Sequence, residues 1–197
     1  AYKAIAQRSG LLPGENVVIF GTGPLGLFSV QIAKIMGALN IVVVGLEEDV
    51  KVRFGVARQL GATEVVNGSA EDVVQRCQEI CGGSDSIGLV VDCAGANICL
   101  KQAIEMVRCN GEIVRVGMGF KPVGFSINDI SMKAVSIIGH MAYDATSWRN
   151  SLQLLAAGRI QVKPMITHRL GLSRWEEGFE AMADKEAIKV ILTYDFD

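Results

Sequence analysis

Short, mainly apolar runs alternate along the 197-residue chain with longer stretches in which apolar residues recur every three or four positions. The runs are "NVVIF" at Asn16–Phe20, "IVVVG" at 41–45, "TEVVN" at 63–67, "GLVVDCAG" at 88–95, "EIVRVG" at 112–117 and "VSIIGH" at 135–140. The helical periodicity falls between them, over 25–37, 49–60, 69–80 and 96–107. A strand apolar at successive positions has no polar face, so it belongs in a sheet covered on both sides. Strand and helix in alternation predict a doubly wound parallel sheet, an α/β fold. Gly37, Gly61 and Gly111 read as the residues just past helix C-termini. Ala1–Arg8 reads as the tail of a helix, and "SGLLPGE" turns the chain into the first strand. This region, 1–141, is expected to form one domain. Residues 142–197 follow a different pattern, a short C-terminal helix–helix–strand segment. An amphipathic helix over 147–157 is stopped by Gly158, and "MITHRLGL" follows as a loop. Ser173 and Glu176 then form a capping box for a second helix. "IKVILTY" is a short strand with no evident partner in the chain.

"VVIFGTGPLGLFSVQIAK", Val17–Lys34, places Gly21, Gly23 and Gly26 in a G-x-G-x-x-G turn between a strand and a helix. In such a unit the first glycine permits the tight turn and the second lets a pyrophosphate approach the backbone. The third lets the helix pack on the strand, as in the Rossmann fold. The helix N-terminus adds free N–H groups and a positive dipole end. Competing readings are a plain strand-to-helix turn and a methyl-donor nucleotide fold. About 20 residues further on, an acid usually holds the adenosine ribose; here the run ends in Gly45. Glycine removes a carboxylate that would repel a 2′-phosphate, which points to NADP. Glu47, Glu48 and Asp49 follow and point to NAD, with Glu47 near enough to take the ribose contact. Lys51, Arg53 and Arg58 are the candidate phosphate partners. A solvated first helix turn accounts for the acids equally well. The expected cofactor is NAD, or NADP, with NAD favoured.

Half the residues are hydrophobic, which suffices for a sizeable core, and the formal net charge is −2. Without a basic block, neither nucleic acid nor an anionic membrane is an expected partner. No apolar run approaches the ~20 residues of a membrane helix, and "AYKAIAQRSG" lacks the apolar region of a secretory signal. The five cysteines, at 77, 81, 93, 99 and 109, are odd in number and lie in helical or strand contexts, so a disulfide framework is not expected. A soluble, cytoplasmic protein follows. Cys77 and Cys81 stand i, i+4 without further metal ligands and read as buried thiols. Cys93, Cys99 and Cys109 read as core. His140 either reaches toward a bound cofactor or caps a strand end, and His168 lies in the loop motif. Asp92 reads as a backbone-bonding residue, and Trp148 and Trp175 as core or interface. No catalytic set and no metal site can be assembled within the chain.

"SGLLPGENVVIFGTGPLGLFSVQIAKIMGA", "RFGVARQLGATEVVN", "GLVVDCAGA", "AIEMVRCNGEIVRVGM" and "ITHRLGLSRWEEGFEAM…KVIL" occur in this order. Together they resemble the C-terminal half of zinc-dependent medium-chain alcohol and polyol dehydrogenases, nearest the sorbitol and threonine dehydrogenases. The resemblance implies a cofactor-binding role for matching positions. Gly21, Gly23, Pro24, Leu25 and Gly26 would meet the pyrophosphate; Gly45 and Glu47 would flank the ribose and Arg53 the adenine. Cys93 and Ala94 would line the adenosine side. Val116, Gly117 and Met118 would meet the nicotinamide, with Gly139 and His140 on the same side. Gly45 departs from the family's acid, and "GLEEDVKVR" is longer than the polyol enzymes' loop. The resemblance further implies hydride transfer between an alcohol substrate and the nicotinamide. It places the zinc in an N-terminal catalytic domain absent from this chain, on which 142–197 would dock, leaving the chain alone inactive. It also implies a homodimer through the strand at 134–140. The rival reading is a stand-alone dinucleotide-sensing module.

Overall fold

A computed structural model describes residues 1–194. The first domain runs β1 (Asn16–Phe20), α1 (Pro24–Ile35), β2 (Ile41–Gly45), α2 (Arg53–Leu60), β3 (Glu64–Asn67), α3 (Val73–Cys81), β4 (Ile87–Asp92), α4 (Asn97–Met106), β5 (Glu112–Arg115), α5 (Ile127–Lys133) and β6 (Ser136–Gly139). The six strands form one all-parallel sheet in the order β3-β2-β1-β4-β5-β6. Successive residues of a strand enter opposite cores, which is why the central strands are apolar throughout. Val17 and Ile19 of β1 pack with Leu27 and Val30 of α1 on one face. Val18 and Phe20 pack with Cys77 of α3 and Leu100 of α4 on the other. From β1 the chain winds outward to β3, then returns to β4 on β1's other side. The carboxyl ends of β1 and β4 therefore flank a topological switch point, where sheets of this class open a crevice. Among the described residues no helix is long and apolar enough to cross a membrane.

The carboxyl edge is held by one buried acid. Asp92, fully inaccessible at the end of β4, accepts hydrogen bonds from the N–H groups of Ala94 (3.0 Å) and Gly95 (2.8 Å). Its other oxygen accepts from Arg115 Nη1 at 2.8 Å, and Arg115 Nη2 donates to the Gly95 carbonyl at 2.8 Å. Val116 and Gly117 donate to the Asp92 carbonyl. The loops after β4 and β5 are thus tied to each other. They approach so closely that a Cβ on Gly117 would lie 2.3 Å from the Gly95 nitrogen.

The C-terminal segment corrects the sequence reading. "MITHRLGL" is not a loop: Ile166–Gly171 is strand β7, and His168 sits in it. The last strand, β8 (Lys189–Thr193), does have a partner, pairing parallel with β7. Helix α7 (Trp175–Ala183) packs on both strands, while α6 (Ala145–Ala156) leads in. Ser173 lies within a 3₁₀ turn, Leu172–Arg174, and the α-helix proper begins at Trp175. Gln31 of α1 donates to the Gln161 carbonyl (3.0 Å) and accepts from its N–H (2.6 Å), and Met165 and Ile188 enter the first core. The segment is therefore packed on the sheet domain.

The stretch between the fifth and sixth strands, for which the sequence pattern marks no element, contains α5. Smaller corrections follow. The helix expected over 49–60 begins only at Arg53, after a 3₁₀ turn at Glu47–Asp49. Gly61 caps α2 in the left-handed conformation as expected, and Gly37 also has positive φ, but Gly111 does not end a helix. It lies against Val107, with Asn110 taking the left-handed φ. Cys77 and Cys81 are buried; Cys93 and Cys99 are only half-buried and Cys109 is exposed. Trp148 and Trp175 are about half exposed (56% and 48%) and so do not belong to a core.

Burial pushes the Asp92 carboxyl above its ordinary range, opposed by the Gly95 N–H, the Arg115 charge and the Ala94 N–H. A carboxyl raised in this way lowers stability as pH rises through the acid range, and Arg115 limits that loss. Arg115→Gln should therefore cost about 3 kcal/mol at neutral pH. The difference from wild type should shrink at acid pH, where Asp92 is protonated. Denaturant unfolding at several pH values checks this; a pH-independent difference would contradict it.

Candidate dinucleotide site

The three glycines of the first turn are glycine for different reasons. Gly21 has φ +103, a conformation side chains rarely adopt, and its N–H donates to the Val44 carbonyl at 2.9 Å. A Cβ on Gly26 would sit 1.9 Å from the Gly21 oxygen, so the close approach of α1 to the turn requires glycine. Gly23 has neither constraint. Its φ is −71, and nothing lies within 4 Å of where its Cβ would be. It is the N-cap of α1 with Pro24 at the first helical position and no side-chain cap, so Leu25 and Gly26 present N–H groups without intrahelical partners. The fold leaves this backbone bare, and an anion fits the space.

A cavity of about 330 Å³ opens beside the turn at the switch point. Of the residues singled out from sequence, Gly21, Gly23, Gly45, Arg53, Cys93 and Ala94 line it. Pro24, Leu25 and Gly26 form the adjoining helix start. Val116, Gly117 and Met118 follow β5, and Gly139 and His140 end and follow β6; these lie on the same carboxyl edge but outside this cavity. Glu47 is outside it too. Its carboxylate accepts from Asn67 Nδ2 at 2.6 Å, and its N–H donates to Ser69. Arg53 is held by the protein at its two terminal nitrogens, Nη1 pairing with Asp49 at 3.3 Å and Nη2 donating to the Ala187 carbonyl at 2.8 Å, while its buried Nε has no partner. Of the other candidate cations, Arg58 pairs with Glu64 and Lys51 is exposed.

Sequence reading missed Thr22, Ile98, Gln102 and Lys185, named Asp49 only as one of three acids opposing a 2′-phosphate, and read Cys99 as core; all six line the cavity. Ile98, Cys99 and Gln102 lie on the start of α4 directly after a strand end, a signal that could have been used. Lys185 comes from the C-terminal segment, where its ammonium pairs with Glu48. Gly45 is enforced by packing: a Cβ there would meet Phe54 at 2.5 Å, Thr22 at 2.7 Å and an Asp49 carboxylate oxygen at 2.8 Å.

Burial pushes the Cys93 and Cys99 thiols up to about 11, so both stay protonated at neutral pH. Burial, followed by the amino terminus, Lys3 and Arg8, lowers the His140 pKa and favours a neutral ring. His168 contacts the Thr167 hydroxyl at 3.0 Å. Among the described residues no group of three or more His, Cys, Asp or Glu is placed to hold a metal ion.

A parallel sheet with a bare glycine turn at its switch point defines a nucleotide-binding α/β domain. The family model described as zinc-binding dehydrogenase matches residues 24–157, and the chain belongs to that family. It is 74% identical, over all 197 residues, to the zinc-type alcohol dehydrogenase-like protein YdjL of Escherichia coli strain K12, covering 55% of that protein. It is 36% identical over 193 residues to a sorbitol dehydrogenase of Arabidopsis thaliana, an alignment covering 94% of this chain and 51% of that enzyme. A zinc-binding dehydrogenase of Sinorhizobium meliloti 1021, solved bound to NADP, superposes with a TM-score of 0.83 at 27% identity, over 93% of this chain and 54% of that one. The chain thus spans about half the length of the relatives it matches.

Gly23→Val should leave the fold intact, because open space surrounds its Cβ position, and should abolish dinucleotide binding by filling the phosphate's place. Calorimetric titration beside a thermal melt checks both halves; unchanged affinity would make the turn purely structural.

Proposed function

We propose that this chain is the nicotinamide-dinucleotide-binding portion of an alcohol or polyol dehydrogenase, acting in a reducing cytoplasm. The observation that carries the reading is Gly23, a glycine the fold does not need, placed where a helix N-terminus meets a cavity at the switch point. Family membership and the NADP-bound relative support it. The turn from Gly21 to Gly26 holds the pyrophosphate and the cavity takes the adenosine. Val116, Gly117, Met118, Gly139 and His140 face the nicotinamide further along the same edge. Bound there, the cofactor supplies hydride transfer; the chain's own residues bind and orient it.

The described residues offer no fit for zinc. Metal ligation and the alcohol pocket are assigned to the remainder of a longer enzyme. Residues 1–141 form the dinucleotide domain in this reading, and 142–197 carry the surface on which that remainder docks. Exposed Trp175 and Phe179, in edge-on contact at 5.8 Å on α7, and separately Trp148 on α6, supply apolar surface for it.

A homodimer through β6 completes the proposal. Among the described residues β6 pairs only with β5 and ends the sheet, and α5, just before it, packs toward α4. Phe120 (94% exposed), Met132 and Met141 on the flanking segments are strongly exposed. The same strand of a second copy, antiparallel across a two-fold axis, satisfies the open edge and closes the assembly.

The chain should bind NAD(H) or NADP(H) in calorimetry and ignore S-adenosylmethionine. With zinc and a panel of polyols it should form no NAD(P)H; turnover at ordinary enzyme rates would refute the division of labour. Sedimentation at micromolar concentration should show a dimer, and Ile137→Pro, which removes a ladder donor, a folded monomer. A mutant that stays dimeric would place the interface elsewhere.

A further inference from the structure

Open α/β sheets that bind dinucleotides place an acid at the end of the second strand, where it accepts hydrogen bonds from the adenosine ribose hydroxyls. That position is Gly45, and the nearest acid in sequence, Glu47, turns away to Asn67. Yet the place is not empty of charge. The 3₁₀ turn Glu47–Asp49 folds Asp49 back over the strand end, so that one carboxylate oxygen lies 2.8 Å from where a Cβ of residue 45 would be. That oxygen accepts the Leu46 N–H at 2.8 Å, and the other faces Arg53. A carboxylate offers about four acceptor sites, so this geometry leaves acceptor capacity. Asp49 lines the 330 Å³ cavity together with Gly45, Leu46 and Thr22.

We propose that Asp49 is the specificity-determining acid of the site, accepting the adenosine ribose 2′-hydroxyl and thereby selecting NAD over NADP. The inference rests on the dinucleotide reading above. The turn delivers from four positions downstream the carboxylate that the strand end lacks. A 2′-phosphate at that hydroxyl would meet a buried negative group. The cations around it already face acids of the protein: Arg53 pairs with Asp49 itself and Lys185 with Glu48, so only the unpartnered Arg53 Nε is left to meet a phosphate.

The test is titration calorimetry of the chain with NAD, NADP and NAD lacking the adenosine 2′-hydroxyl. Wild type should bind NAD about tenfold or more tighter than either analogue, as a charge-assisted hydrogen bond implies. Asp49→Asn should weaken NAD by about tenfold and bind NAD and the 2′-deoxy analogue alike. Should Asp49→Asn not fold, as judged by its melt, Asp49→Glu keeps the charge, displaces the carboxylate by a methylene, and should also lose the discrimination. Full discrimination in a folded Asp49 variant overturns the assignment, as does its loss in Glu47→Gln instead. Tighter binding of NADP by wild type, abolished in Lys185→Gln, would make the cavity a phosphate site and likewise overturn it. If none of the three ligands binds, the dinucleotide reading itself falls, and this one with it.

Discussion

The carboxylate of Asp92 is removed from water at the end of β4, and the geometry of the whole carboxyl edge depends on how it is satisfied. A buried charge is tolerated only with full hydrogen-bonding and an opposing charge. Asp92 obtains both from Ala94, Gly95 and Arg115. In doing so it fixes the start of the loop that lines the cavity and pins the loop after β5 against it. The residues assigned to the two halves of a dinucleotide thus hang from one ion pair.

The central strands were legible because burial on two faces writes an unbroken apolar run, as in "VVIF" and "IVVV". Where that physics is weaker, the pattern fades. In β7, Thr167, His168 and Arg169 are polar and the strand lies in a two-stranded sheet, so neither a run nor a clean alternation marks it. Helix α5 fully buries none of its seven residues and sets only Ile130 against the core. It is held by the Ser126 cap and by Lys133, whose ammonium reaches the carbonyls of Ile104, Glu105 and Val107. Such contacts leave no periodicity to read.

The site divides in the same way. The glycine turn was legible because a bare backbone leaves only one residue type to choose. The acids after β2 were not, because distance along the chain says nothing about which carboxylate a 3₁₀ turn folds inward. Glu47 was the nearer acid, and Asp49 is the one at the strand end. Lys185 and Ala187 reach the same region from more than 130 positions away, and only the docking of the C-terminal segment reveals them.

Gly45 and Asp49 constrain how this surface can evolve. An aspartate at position 45 would collide with Phe54, Thr22 and the Asp49 carboxylate already present. Losing Asp49 first would strip the strand end of its only folded-back acid and leave Arg53 without its pair. In this backbone an acid at position 45 and the carboxylate of Asp49 exclude one another, because the space beside Phe54 and Thr22 holds only one of them.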